Sequence, residues 1–206
     1  EILARAFKRA GARVAYSQGF HPKAKFSFGP ALMTGAESDF EFFDVEILPP
    51  PPEGGIRGRV NEGLPEGIVL LDVFPIERSE SSIGAMARGA VFEIRDRIPG
   101  TLPGREERES LLATFLAADC VEVVAPKKIY NVRPYVTEAA VTSSGFRLEI
   151  AISAGAGSAK PTDVLRAILG WPESESKRTA GLHLVKTATL FDGEASLAAA
   201  DGAGGT

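Results

Sequence analysis

The sequence predicts an α+β protein built from two degenerate ferredoxin-like (βαββαβ) units with antiparallel sheets, the first lacking its opening strand. Three observations carry this reading. Segments with a helical period alternate with segments of period two. The order helix, strand, strand, helix, strand runs through residues 1–75 and returns, led by a further strand, through 90–190. A hydrophobic content of 44% over 206 residues is enough to fill one large core or two small ones. The boundaries that follow are a first unit at 1–78, a connector at 79–89, a second unit at 90–192 and a flexible Ala/Gly-rich tail at 193–206. The repeat is one of element order, with no letter-by-letter match between the halves.

The elements are justified in turn. Ile2, Leu3, Ala6, Phe7 and Ala10 share one helical face, and Gly11 suits the C-cap. Residues 14–17 read as a strand that 25–28 continue after a bulge at Gly19. Residues 39–48 alternate as a half-buried strand, which the prolines at 49–52 end. Residues 53–64 read as a short helix and 68–74 as an apolar strand. In the second half, 91–97 is a strand. The helix at 105–119 carries a stripe of Leu111, Leu112, Phe115 and Leu116, with Glu106, Glu107, Arg108 and Glu109 as its solvated face. Residues 121–124 begin the next strand. Phe146, Leu148, Ile150 and Ile152 line one face of another. Pro161 and Asp163 favour the first turn of a helix at 161–169, residues 154–159 form a small-residue loop, and 183–190 close the unit. The chain opens at Glu1 inside a helical pattern, so an upstream segment holding the missing strand is expected.

Charge and composition narrow the function classes. A net charge of −4 argues against a general nucleic-acid coat and leaves room for a local basic groove. The single cysteine, Cys120, allows no internal disulfide, which points to a reducing, cytoplasmic setting. Its place before Val121-Glu122-Val123-Val124 reads as a buried structural thiol. No apolar run approaches the roughly 20 residues of a membrane span, and no signal peptide is visible. Two distant histidines and one cysteine do not make a metal set, and no cofactor is expected. Walker, dinucleotide and nucleophile-elbow motifs are absent, and the glycines at 193–205 lack the flanking strand and helix of a phosphate loop.

The most unusual stretch runs from Val14 to Pro30. It sets Tyr16, Ser17, Gln18, Phe20, His21, Lys23, Lys25 and Phe26 between glycine and proline breaks. Aromatics beside cations suit stacked bases and phosphates, with Arg13 and Lys8 extending the basic edge. The ordinary alternative is core aromatics with solvated lysines. His21, followed by Pro22, is presented from an extended segment. It serves as a base, a phosphate partner or a hydrogen-bond anchor, or else it caps a bend. His183, between Leu182 and Leu184, reads as structural or exposed. In the second half Lys127, Lys128, Tyr130, Arg133 and Tyr135 hold the corresponding position. The two segments are expected to face one another across a pseudo-twofold cleft. Glu37, Asp39 and Asp44 are weaker acid–base candidates, since nothing pairs them.

Residues 5–47 resemble an uncharacterised bacterial family linked, by fusion or gene neighbourhood, to cobalamin-binding radical S-adenosylmethionine proteins. The resemblance rests on Ala15-Tyr16-Ser17-Gln18-Gly19-Phe20-His21-Pro22, on Ser27-Phe28-Gly29-Pro30-Ala31-Leu32, on Gly35, Glu37 and Ser38, and on Asp44-Val45-Glu46. Weaker support comes from residues 64–68, Val132-Arg133-Pro134-Tyr135 and Lys186-Thr187. The chain departs from the family pattern at Lys23, where a second basic or imidazole group follows His-Pro, and at Lys186, where an Arg is usual. The resemblance implies a bacterial cytoplasmic protein that works with a radical enzyme as its partner. One cysteine cannot hold an iron–sulfur cluster, so the chain is not that enzyme. The leading expectation is a binding module, more a non-enzyme than an enzyme, that presents structured RNA or another anionic substrate to the partner. The alternatives are an RNA-modifying enzyme of pseudouridine-synthase-like architecture, by fold analogy alone, and a protein–protein adaptor for the radical enzyme.

Overall fold

A computed structural model describes residues 1–49, 55–76, 81–153, 157–191 and 197–198. The helices are α1 Ile2–Arg9, α2 Ile56–Asn61, α3 Ile83–Met86, α4 Arg105–Ala117 and α5 Pro161–Leu169. The strands are β1 Phe26–Phe28, β2 Ala36–Ser38, β3 Phe43–Val45, β4 Ala87–Asp96, β5 Glu122–Ala125, β6 Lys128–Asn131, β7 Val136–Val141, β8 Gly145–Ser153, β9 Gly157–Ser158, β10 Leu182–Phe191 and β11 Leu197–Ala198. The chain divides into two compact units. One comprises Glu1–Gly29 and Phe42–Ala85, the other Pro30–Glu41 and Met86–Thr206.

The second unit carries the βαββαβ order: β4, α4, β7, β8, α5, β10. Its sheet runs β10-β4-β8-β7, antiparallel at every step. That is the 4-1-3-2 arrangement of a ferredoxin-like unit. The inward face of β8 supplies Phe146, Leu148 and Ile150, all essentially inaccessible, as the alternation predicted. Leu112 and Phe115 of α4 and Val164, Leu165 and Ile168 of α5 join the same core. Gly170, at φ +65°, ends α5: Trp171 N–H bonds to Arg166 C=O and Gly170 N–H to Ala167 C=O. Glycine takes this left-handed position without steric cost, and the motif turns Trp171 into the core.

Three strand expectations change here. Of the strand expected from 121, residues 122–124 lie in β5, which pairs with β6 in a separate two-stranded sheet. The unit's second strand is instead β7, whose Thr137-Glu138-Ala139-Ala140 stretch lacks an apolar alternation because an edge strand has a solvated side. The connector at 79–89 contains α3 and the start of β4. There Ala87, Gly89 and Ala90 are buried, and Gly89 lies so close to Ile150 C=O that only small residues fit. Residues 39–48 do not form one strand. β3 stays in the first unit, while Pro30–Glu41 carries β2 to the second unit's sheet, parallel to β10.

The first unit packs α1 and α2 on a two-stranded antiparallel sheet. Phe7 meets Phe26 and Phe43 edge-on at 5.8 and 6.0 Å, over a core of Ala6, Ala10, Ile56 and Val60. Residues 14 and 26 both belong to the strand beside β3. Val14 pairs with Ile47 and Phe26 with Val45, and the residues between are looped out. The expected bulge at Gly19 is thus a longer excursion within one strand. Residues 68–74 form no strand. In a 4-1-3-2 sheet the last strand pairs only with the first, and no described residue of this unit occupies that first position. The Asn61 amide takes over instead, donating to Leu70 C=O at 3.0 Å and accepting from Leu70 N–H at 2.7 Å.

Two side-chain expectations are also corrected. Arg108 is buried, because its guanidinium donates to Gly145 C=O at 2.8 Å and to Thr142 C=O at 3.4 Å. Cys120 is exposed, because it sits in the link between α4 and β5, where Val123 is the residue that turns inward. The expected tail at 193–206 lies outside the described residues apart from β11, which pairs with β10. The loop at 154–159 is described only from Gly157, where β9 pairs with β8. No helix among the described residues is long and apolar enough to cross a membrane.

Candidate functional site

The looped-out stretch of the first unit is closed at its base by backbone bonds. Lys25 N–H bonds to Ala15 C=O and Ser17 N–H to Lys23 C=O, each at 2.8 Å, and Lys23 N–H donates to Ser17 Oγ at 3.0 Å. Ser17 is therefore the clasp of the loop. Gly19, at φ +134°, makes the turn at its tip. The turn leaves Phe20 with the full exposure of a free side chain (102%), beside exposed Gln18, His21 and Lys23. Tyr16 is 49% exposed at the root. Lys25 is spoken for by Glu46 at 2.8 Å. The loop thus sets an unburied aromatic next to an imidazole and an ammonium on a short, tied scaffold. Asp44 has a structural task, its Oδ2 accepting the N–H of Ile83 at the start of α3.

The second basic-aromatic segment belongs to the other unit. Lys128 lies over the Tyr130 ring at 4.1 Å, and Tyr130 packs edge-on against Tyr135 at 6.4 Å. Tyr130 Oη donates to Asp163 Oδ2 at 2.9 Å. Burial first, and then this bond, push the phenol up to about 12. A raised phenol pKa stabilises the fold fully below the unfolded value near 10 and withdraws that support as pH climbs toward 12. Tyr130→Phe should therefore flatten the alkaline fall of the melting temperature in that window. An unchanged slope would show the hydroxyl to be solvated. Arg133 is half-buried, donating to Val136 C=O at 3.0 Å and Leu116 C=O at 3.4 Å with its guanidinium 5.7 Å from the Phe115 ring. Its side chain is committed to the fold, and Lys127 and Lys128 are the exposed cations of this segment.

Sequence reasoning missed a charged seam where β2 meets β10. Arg95 Nε donates to His183 Nδ1 at 3.0 Å, which leaves Nε2–H to donate to Glu37 Oε2 at 3.0 Å. That bond, followed by the nearby Arg97 and Arg95 charges, holds the Glu37 carboxyl below the usual range. One step along, buried Lys186 bonds to Glu41 at 2.9 Å, and Ser38 Oγ reaches Lys186 C=O at 3.5 Å. Glu37, Ser38 and Lys186 come together across some 148 positions of sequence. Their signals were their presence in the family-like motifs and, for Glu37, its reading as an acid–base candidate; the expectation that nothing pairs Glu37 is corrected by its bond to His183.

The geometry defines an α+β protein with an antiparallel βαββαβ sheet and an exposed aromatic-basic loop on a second, smaller unit. The chain belongs to the family described as an uncharacterized protein conserved in bacteria (DUF2344), whose model matches residues 1–162. No curated protein and no solved structure matches it.

Proposed function

We propose that the chain is a non-catalytic binding module that presents structured RNA, or another anionic substrate, to a radical S-adenosylmethionine enzyme. The observation that carries the binding half is the exposed Phe20 beside His21 and Lys23. Leaving an aromatic ring wholly in water is unfavourable for a free protein, and a stacked base would cover it. His21 and Lys23 would meet the adjoining phosphates. The partner half rests on the resemblance of the Ala15–Pro22 and Ser27–Leu32 motifs to radical-enzyme-linked proteins.

The test is a filter-binding titration of a panel of structured RNAs at several salt concentrations. Phe20→Ala should weaken binding by about 1–3 kcal/mol, the scale of one stacked base. Lys23→Ala should weaken it and reduce the salt slope by about one counterion. Both positions are solvent-facing, so the melting temperature should hold. Unchanged affinity and slope across the panel would refute the RNA reading.

The adaptor reading has its own observation. The backbone N–H and C=O groups of Phe43, Val45 and Ile47 that point away from β1 meet no partner among the described residues. Further along the same unit, Ile68, Val69, Leu71, Phe74 and Ile76 are exposed. An open strand edge with exposed apolar residues in the same unit suits a protein partner. A radical-enzyme complex that survives Phe20→Ala but is lost on Val69→Asp would favour it.

A further inference from the structure

We propose that the cavity beside the C-terminus of α5 is a binding site for a guanidinium group, its aromatic wall covered in this structure by the chain's own Arg178. The cavity lies within the second unit and has a volume of about 350 Å³, which suits one side-chain-sized ligand. Leu102, Leu111 and Leu169 contribute apolar patches to a lining that is otherwise mostly polar, and Trp171 presents a ring face. That ring is held because Trp171 is buried in the core, while its backbone N–H closes the helix-ending motif of α5. The opposite wall is fixed too: the Asp96 carboxylate accepts the N–H groups of Gly100 and Leu102 at 2.9 and 2.8 Å.

The charged groups around the cavity define the guest. Arg178 lays its guanidinium carbon 4.3 Å from the Trp171 ring centroid and donates from Nη1 to Glu175 Oε2 at 2.7 Å. An aromatic face with a carboxylate at its edge is the pairing that recognises guanidinium by stacking and charge-assisted bonding together. Glu107, also at the cavity, has no ion-pair partner among the described residues. The C-terminal end of α5 adds further negative potential. The site therefore holds two carboxylates, a helix C-terminus and a π face against a single cation. That cation is a half-exposed side chain on the 3-10 turn Glu173–Gly181. A ligand guanidinium would displace Arg178 from Trp171 and engage Glu175, with Glu107 taking its other edge.

Trp171 is the chain's only tryptophan, so its emission reports the site directly. The probes are agmatine and Gly-Arg-Gly, with putrescine and Gly-Lys-Gly as amine controls. Agmatine or Gly-Arg-Gly should change the emission saturably, and the amines much less, since an ammonium cannot stack as a plane. Tighter agmatine binding assigns a free guanidinium compound, and tighter tripeptide binding assigns an arginyl peptide. Arg178→Ala, which uncovers the aromatic wall, should tighten binding roughly tenfold, the scale of one cation–π contact freed from competition. Glu107→Gln should weaken it by about the same factor. The proposal is overturned if Arg178→Ala, melting as the wild type does, shows no saturable change with either guanidinium probe. Equal response to putrescine and agmatine would overturn it as well.

Discussion

Phe115→Ala is expected to lower the unfolding free energy by about 3–5 kcal/mol, the cost of emptying a large aromatic site in a core that collapses only in part. The ring is 4% exposed and belongs to the cluster that includes Leu112, Val123, Val132 and Val136. It also lies under the guanidinium of Arg133, which ties the 3-10 turn Arg133–Tyr135 to the end of α4 through Leu116 C=O. Removing the ring therefore leaves a void and loosens the support of the half-buried Arg133 at the same time. Leu116 is the control. It shares the apolar stripe in the sequence but is 39% exposed, so Leu116→Ala should cost well under the Phe115 value. Urea titrations of the two variants compare them directly. A Phe115→Ala loss below about 1 kcal/mol would show that the core refills the space.

The parts of this fold legible in the sequence are those whose burial is periodic and local. The helix at 161–169 carries its start signal at Pro161 and Asp163, and α5 has those bounds. Phe146, Leu148 and Ile150 alternate because β8 is flanked by strands on both sides and covered on one face. What could not be read depends on partners far away in sequence. The edge strand β7 has a solvated side and no clear alternation. Residues 68–74 have the apolar composition of a strand, yet a strand exists only against a neighbour. The Asp39–Leu48 stretch alternates evenly, but nothing in the alternation marks where the chain passes from one unit's sheet to the other's. Arg108 sits among glutamates on a helix, and only the carbonyls of Thr142 and Gly145 explain its burial. For the candidate site, the break in the strand was legible because His21-Pro22 and Gly19 are local conformational signals, but its length was not, since a bulge was expected and the chain loops out from 17 to 23. The Glu37–His183 and Glu41–Lys186 pairs were not, because parallel pairing of β2 with β10 creates them.

Arg166→Leu should cost about 3–5 kcal/mol, because it strands a buried acid. Asp163 is 7% exposed and has two partners: Tyr130 Oη on Oδ2 and Arg166 Nη1 on Oδ1 at 3.3 Å. Arg166, itself 4% exposed, also meets Glu173 at 2.8 Å and donates to Val124 C=O at 3.3 Å. Glu173 is partly exposed and can turn to water when its partner goes; Asp163 cannot. The double variant Arg166→Leu with Asp163→Asn removes both charges and keeps an acceptor for Tyr130. It should recover stability to within about 1–2 kcal/mol of the wild type, since replacing a whole buried pair is far cheaper than breaking one. The same cluster clips the β5–β6 hairpin to α5, through Val124 C=O and the Tyr130 hydroxyl. Arg166→Leu should therefore also free the hairpin that displays Lys127 and Lys128, seen as faster amide exchange over 122–131. A single variant that unfolds within about 1 kcal/mol of the wild type would mean that water reaches Asp163 and solvates it in place of the arginine. The hairpin would then be held by its own ladder and by Tyr130 alone.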